Sequence, residues 1–301
     1  MKSDMVDIKK LRMEKPTWST DPERLDFKIV NEPLEKLLTG IISTLEKRAR
    51  DKFSELLFLT EKILAGCFQT YKAIRKLVAK DPKYPTQAHI LNRTLLDSLF
   101  AIEAFLEDPE KYPMAYAIAG YRMTWEEYTK EAAKYVKNTN WNEYLKDKAK
   151  LVEYLADLYR LSEDERKFPS KNIKYWPIPS KMLKGKIFSK KRHEFLKEIY
   201  GWHYGWESAL SHFQWGGMSA SDFSSMPEHH WHPGKFESDA VYKSILYLLM
   251  ISSEVEASLK LGYNQDLRYI WTILNSVFGE AKGYYQNRFD KLLQNEPTDE
   301  L

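Results

Sequence analysis

The residues best suited to acid–base chemistry fall on two predicted helices. On the first, His89, Arg93 and Asp97 follow one another at four-residue steps, which places them on one helical stripe. Leu96 and Phe100 lie beside that stripe, and a fully solvated face would seldom carry them. We therefore expect Arg93 and Asp97 to be partly covered by another helix, where charges require partners. The alternative is an ordinary surface Arg–Asp pair, which contributes about 0.3 kcal/mol.

The second helix carries Tyr204, Ser208 and His212, again at four-residue steps, with Glu207 nearby. Imidazole titrates near neutrality, so His212 is suited to proton transfer, and a neighbouring serine could be activated by it or fix its tautomer. Serine and histidine at this spacing also often form only a structural hydrogen bond, and that alternative stays open. The candidate catalytic residues are Arg93, Asp97, Tyr204, Ser208 and His212.

The same helix, predicted from Ser189 to about residue 213, shows an apolar arc on one side and small residues on the other. Gly201 and Gly205 lie on the small side. Each interior glycine costs about 1 kcal/mol relative to alanine, so we expect a helix, a ligand or a partner to pack against this side. The core arc is predicted to contain Phe195, Leu196, Ile199, Trp202, Trp206, Leu210 and Phe213.

A loop rich in histidine and aromatic residues follows, over residues 218–236. A metal site could be formed by the three histidines of this loop, His229, His230 and His232. Their spacing is not a recognised zinc signature, however, and Pro233 disfavours chelation by neighbouring residues. We favour a loop that contacts a partner protein, and we predict neither a metal nor a cofactor. Phosphate-binding glycine loops, HExxH, G-x-S-x-G and dinucleotide motifs are absent from the sequence.

Apolar residues at three-to-four-residue steps predict an all-α fold: a multi-helix bundle of seven or eight helices with the long His/aromatic loop. Residues 1–30 show no sustained period and are predicted to form an N-terminal arm before a helical domain over residues 31–295. Within residues 163–188 the helical period gives way to Lys, Pro and isolated aromatics, where the domain could be subdivided.

The charge, cysteine content and hydropathy of the chain limit the functions and the cellular locations that it can have. The 46 basic and 43 acidic residues nearly cancel to +3, so no global field attracts nucleic acid, although residues 181–192 carry six cations and no acid. Cys67 is the only cysteine, which excludes an intramolecular disulfide. The N-terminus lacks the apolar stretch of a secretory signal, and no apolar run could span a bilayer. We predict a cytoplasmic protein without membrane association, and an oligomer is possible.

Two segments, LNRTLLDSLFAI and YGWESALSHFQWGG, resemble the signature regions of a bacterial helical family classed only as a domain of unknown function. Its pattern is an Arg with an acid four residues later, then a Tyr, a Ser and a His on another helix. Here these would be Arg93 and Asp97, then Tyr204, Ser208 or Ser211, and His212, with Asp97 in place of the commoner Glu. The resemblance extends over about residues 50–260 and implies an all-α fold, not an activity.

A looser similarity is to the HEPN helical ribonucleases, in which an Arg and a His act without metal. The Arg-x4-6-His spacing typical of them is absent, so such a site would combine Arg93 and His212 from different helices. The favoured hypothesis is a non-catalytic interaction module with a buried Arg/Asp/Ser/His network. The alternative is a metal-independent HEPN-like ribonuclease or nucleotide-processing enzyme, for instance in prokaryotic defence, acting on RNA or a nucleotide.

Overall fold

The structure is a computed structural model that describes residues 27–52, 54–79, 83–135, 137–205, 207–208, 235–278 and 284–293. Within these ranges every regular element is a helix and no strand occurs, which confirms the predicted all-α fold. His212 and the loop histidines at 229, 230 and 232 lie outside the described residues.

Twelve α-helices follow one another in the described part of the chain. They are α1 (Phe27–Lys52), α2 (Glu55–Ala79), α3 (Pro85–Glu107), α4 (Tyr112–Tyr135), α5 (Asn142–Leu158), α6 (Glu163–Lys167), α7 (Pro169–Asn172), α8 (Pro179–Lys184), α9 (Lys190–Ile199), α10 (Lys235–Leu259), α11 (Asn264–Phe278) and α12 (Tyr284–Leu293). A 3₁₀ turn at Thr139–Trp141 precedes α5, and a π-helical turn at Tyr200–Tyr204 continues α9.

The chain divides into two compact units. The described residues up to 106 and from 188 onward form the first unit, and those between 107 and 187 form the second. In chain order, the second unit is therefore an insertion between α3 and α9. Each unit buries its own set of apolar side chains.

Helix α10 is the central element of the first unit. Every residue from Ser244 to Glu256 is buried, as expected for a helix that is apolar on all sides. Helices α1, α2, α11 and α12 pack around it. Two of its buried polar side chains are hydrogen-bonded: Ser253 accepts a hydrogen bond from the Trp271 indole at 3.0 Å, and Glu254 accepts two from Arg288 at 2.6 and 3.0 Å.

The turn after α10 is held by the side chain of Glu256. Its two carboxylate oxygens accept the backbone N–H groups of Leu261 at 3.1 Å and Gly262 at 3.0 Å. Gly262 has a φ of +98°, a conformation that side-chain-bearing residues rarely adopt. The glycine therefore separates α10 from α11.

The second unit is built on the hairpin of α4 and α5, which pack against each other. Its core contains Tyr121, Val152, Ala156, Leu161 and Ile173. Between residues 163 and 188, where the sequence loses its helical period, the structure contains the three short helices α6, α7 and α8. A capping box between Ser162 and Glu165 begins α6, because each side chain bonds the other residue's backbone N–H.

Candidate functional site

The polar stripe of α3 faces the segment formed by residues 200–208. His89 is fully buried, while the side chain of Arg93 is 24% exposed and that of Asp97 is 45% exposed. Leu96 and Phe100, beside the stripe, are both fully buried. The stripe is thus covered over part of its length, as Leu96 and Phe100 suggested, and the covering element is the second predicted signature helix.

Arg93 contacts Tyr204 in two ways. Its Nη2 donates a hydrogen bond to the Tyr204 hydroxyl at 3.2 Å, and the guanidinium carbon lies 5.2 Å from the centroid of the Tyr204 ring. On its own helix, the Nε of Arg93 lies 4.0 Å from an oxygen of Asp97. The structure therefore brings three predicted site residues, Arg93, Asp97 and Tyr204, into one cluster.

Burial shifts the titration of this cluster. It raises the pKa of Asp97 above its ordinary value, an effect that the nearby Arg93 only partly offsets. It also raises the pKa of Tyr204, to which the Asp97 charge adds. Tyr204 therefore stays a neutral phenol that can accept from Arg93 and donate to another group.

A second, deeper cluster lies one turn away on the same two elements and includes two residues of α10. The Nδ1 of His89 is 3.3 Å from an oxygen of Glu207, and both side chains are fully buried. The ammonium of Lys243 lies 3.4 Å from Glu207 and 2.7 Å from Asp239, which is 3.9 Å from the Nε2 of His89. These four side chains form a closed ring of contacts, which we call the His89 cluster.

The carboxylates of the His89 cluster keep the side chain of Lys243 protonated. Burial acts to lower the pKa of Lys243, but the carboxylates of Asp239 and Glu207 together raise it above its ordinary value. Lys243 is therefore an ammonium at neutral pH, and it balances the buried carboxylate of Glu207. A buried carboxylate without such a cation would strongly destabilise the fold.

His203 extends the polar region towards α12. Its Nε2 lies 2.9 Å from the hydroxyl of Tyr285, and its ring meets Tyr247 edge to face. Burial and the nearby Lys243 lower the pKa of His203 to about 4, so its imidazole is neutral at physiological pH. Burial also raises the pKa of Tyr247 well above its ordinary value. A neutral imidazole beside neutral phenols needs no counter-ion.

The π-helical turn decides which side chains of this segment point inward. Trp202, predicted in the core arc, is 76% exposed, whereas Tyr204 is only 6% exposed. The wider turn changes the angular phase of the helix, so the prediction for Trp202 from a regular wheel is wrong. Gly201 and Gly205 are exposed, and a Cβ on either would meet nothing within 4 Å in the described structure. The expected close packing against these glycines is therefore not found among the described residues.

Both contacting elements lie within the range of residues that a family model matches. The model of a family of unknown function, DUF5677, matches residues 60–228, which include α3 and the 200–208 segment. The chain belongs to DUF5677. No curated protein and no solved structure matches the chain. The predicted membership in a domain-of-unknown-function family is thus confirmed, while the HEPN similarity and the bacterial origin stay predictions.

A separate group of buried charges in this DUF5677 chain ties α3 to α9, α10 and α12. The Nε of Arg192 is 2.5 Å from an oxygen of the fully buried Glu103, and its Nη2 is 3.9 Å from Glu254. Arg288 pairs with the other oxygen of Glu254 at 2.6 Å. Arg192, which the sequence places in a basic surface stretch, is therefore used inside the fold.

The remaining candidates divide between described and undescribed residues. Ser208 is half-buried one turn beyond Tyr204, and His212 lies outside the described residues. On the sequence, His89 lies on the α3 stripe and Glu207 lies near Tyr204, Ser208 and His212, but neither was predicted as a site residue. Lys243 and Asp239 were missed, because nothing local in the sequence pairs them with α3.

The described part of the DUF5677 chain offers neither a metal-binding cluster nor a membrane-spanning helix. It contains no group of three or more His, Cys, Asp or Glu side chains arranged to hold a metal ion. In the same residues, none of the helices combines the length and apolar character needed to span a bilayer.

Proposed function

We propose that this DUF5677 protein is a non-catalytic helical interaction module, in which the polar network between α3 and the 200–208 segment is structural. The observation that supports this is the closed pairing of the His89 cluster. His89 and Glu207 are fully buried, and their polar partners are side chains of the same protein. Such groups hold two helices in register, whereas a catalytic group must reach a substrate.

In this proposal the network fixes the second signature helix, and the loop over residues 218–236 contacts a partner protein. Aromatic residues in a long connection are typical of binding loops. We expect Trp231→Ala to leave the melting temperature unchanged, because the ring would serve a partner and not the core. A large drop in melting temperature would assign the loop to the core instead. A cytoplasmic location stays part of the prediction.

The decisive experiment compares nuclease activity and stability. Purified protein is incubated with labelled RNA and single-stranded DNA, with and without chelator, beside Arg93→Ala and His212→Ala. We expect no cleavage by any form, and a lowered melting temperature for Arg93→Ala because Tyr204 and Asp97 lose their cation. Cleavage by the wild type that both variants lose at an unchanged melting temperature would refute the structural role.

The second candidate is a metal-independent enzyme acting on a phosphodiester or nucleotide. The observation in its favour is the partly exposed side chain of Arg93 beside the neutral phenol of Tyr204. Arg93 would bind the phosphate, Asp97 would orient Arg93, Tyr204 or Ser208 would bind substrate, and His212 would transfer the proton. The same cleavage assay separates this candidate from the first.

A further inference from the structure

A surface segment of the second unit combines cations with exposed rings. Between Glu165 and Glu194 the sequence has no acidic residue. Residues 167–186, which we call the aromatic–lysine segment, lie entirely in the second unit. Its exposed side chains include Lys167, Phe168, Lys171, Lys174, Tyr175, Ile178, Lys181, Lys184 and Lys186. Large apolar side chains at the surface beside cations indicate an interaction surface.

Tyr175 is held in place although its ring is 53% exposed. Its hydroxyl donates a hydrogen bond to an oxygen of Glu126 at 2.6 Å, and the guanidinium carbon of Arg122 lies 3.7 Å from the ring centroid. The ring is therefore supported from one side while much of its surface faces solvent. A side chain fixed in this way loses little further conformational entropy when a ligand stacks on it.

The support under Tyr175 is itself tied to the backbone. Arg122 donates to the Ile173 carbonyl oxygen at 2.5 Å and, through Nε, to Glu126 at 2.8 Å. Hydrogen bonds from Tyr175 and Arg122 lower the pKa of Glu126, so this carboxylate stays ionised and keeps both partners. Arg122 thus balances the charge of Glu126.

Phe168 is a second exposed ring in the same segment. It lies between α6 and α7, and the ammonium of Lys171 is 5.3 Å from its ring centroid. A phenylalanine gains nothing from contact with water. Phe168 therefore combines an exposed ring with the nearby cation Lys171, as Tyr175 does with Arg122. The short helix α7 separates the two rings in the sequence.

We infer that the aromatic–lysine segment binds single-stranded polynucleotide. Bases would stack on Tyr175 and Phe168, while the lysines neutralise phosphates, as in proteins that bind single strands without sequence preference. Paired bases in a duplex are not free to stack on these rings. A membrane surface fits less well, because the Tyr175 hydroxyl already donates to Glu126 of the same unit instead of to a lipid headgroup. The inference does not depend on whether the Arg93 region is structural or catalytic.

The test measures binding of full-length protein to fluorescent strands of about 16 nucleotides. The probes are oligouridine RNA, oligothymidine DNA and a hairpin duplex, measured by anisotropy at about 50 and 200 mM salt. We expect the protein to bind both single strands more tightly than the duplex. The RNA and DNA arms show which polymer is preferred.

The stacking contribution is tested with Tyr175→Ala, Tyr175→Phe and a matched tyrosine. We expect Tyr175→Ala to weaken single-strand binding about tenfold, and Tyr175→Phe, which keeps the ring, to weaken it much less. Tyr154 is an exposed tyrosine of α5 in the same unit, between the acidic Glu153 and Asp157. Tyr154→Ala should bind like the wild type. Melting curves check that all variants are folded.

The electrostatic contribution is tested by the salt dependence of the affinity. Replacing both Lys171 and Lys174 with Gln should reduce the slope of log affinity against log salt by about 1.4, because each phosphate contact to a single strand contributes about 0.7. The matched control replaces Lys146 and Lys150, two exposed lysines of α5, and should leave the slope unchanged.

Three results would each overturn the inference. The first is no binding at the lower salt concentration. The second is equal binding to the duplex, or equal losses in Tyr175→Ala and Tyr154→Ala, which would reduce the effect to general attraction for a polyanion. The third is binding to phosphatidylserine vesicles without binding to either single strand, which would make the segment a membrane contact.

Discussion

At the scale of single residues, two fully buried carboxyl groups, those of Glu207 and Glu103, each have a cationic side chain close by. Glu207 is fully buried and has His89 and Lys243 within 3.4 Å. Glu103 is fully buried and has Arg192 at 2.5 Å. Removing one member of such a pair leaves an uncompensated charge in a medium of low polarity, which costs far more than the net contribution of the intact pair.

The first prediction concerns Glu207. We expect Glu207→Ala to lower the free energy of unfolding by about 3 kcal/mol, because the Lys243 ammonium loses a buried counter-charge. Urea unfolding measures the change. Glu153→Ala, at an exposed position of α5, should change the free energy by less than about 0.5 kcal/mol. Equal effects of the two substitutions would mean that the His89 cluster does not stabilise the fold.

The second prediction concerns the pH dependence that Glu103 causes. Burial and the neighbouring Glu254 raise its pKa from 4.5 to about 8 in the folded protein. Because the folded state holds a proton that the unfolded chain releases, this group contributes stability that is complete below pH 4.5 and is lost as the pH rises through 8. Glu103→Gln should remove that loss.

The pH prediction is measured as the free energy of unfolding at about pH 5 and about pH 8. Relative to Glu103→Gln, the wild type should lose at least about 1 kcal/mol over this range, since one pKa unit corresponds to about 1.4 kcal/mol. Glu153→Gln is the matched control and should follow the wild type. Parallel profiles for the wild type and Glu103→Gln would contradict the prediction.

At the scale of elements, short departures from regular helix position the polar side chains. The π-helical turn at Tyr200–Tyr204 turns Tyr204 inward to Arg93 and leaves Trp202 outside. At the end of α10, Glu256 and Gly262 form the turn that redirects the chain into α11. The π-helical turn and the turn at Gly262 both depend on backbone conformations that differ from a regular α-helix, so a regular helical period does not predict them.

The third prediction compares two glycines. Gly262→Ala should lower the melting temperature and cost about 1 kcal/mol or more, because alanine resists a φ of +98°. Gly66 lies inside α2, with open space where a Cβ would stand. Gly66→Ala should therefore stabilise the protein by about 0.5–1 kcal/mol. Thermal unfolding of both variants checks the opposite signs, and a shift in the same direction for both would contradict this account.

At the scale of the whole molecule, each of the two units has its own buried apolar side chains. The second unit centres on residues such as Leu161 and Ile173. The first contains Leu64 and the buried Cys67, where burial raises the pKa of the thiol to about 11. A buried thiol in its protonated form reacts slowly, so its modification reports local or global opening of the first unit.

The fourth prediction uses this thiol to test whether the units open separately. Leu161→Ala should destabilise the second unit by about 2–4 kcal/mol and leave the rate of Cys67 modification by a disulfide reagent within about twofold, because separate cores can open separately. Leu64→Ala, the matched change in the first unit, should accelerate modification at least about tenfold. Similar acceleration by both variants would show that the two units unfold as one.

The sequence by itself determined the helical class, the periodic core positions of α3 and the stripe of His89, Arg93 and Asp97, because side chains that share a helical face recur at fixed steps. It also indicated that the stripe would be covered. Only the tertiary structure decided that Tyr204 and Glu207 cover it and that Lys243 and Asp239 complete the His89 cluster. These residues are distant in the chain, and a single π-helical turn, invisible to a regular period, sets which side chains of the 200–208 segment meet α3.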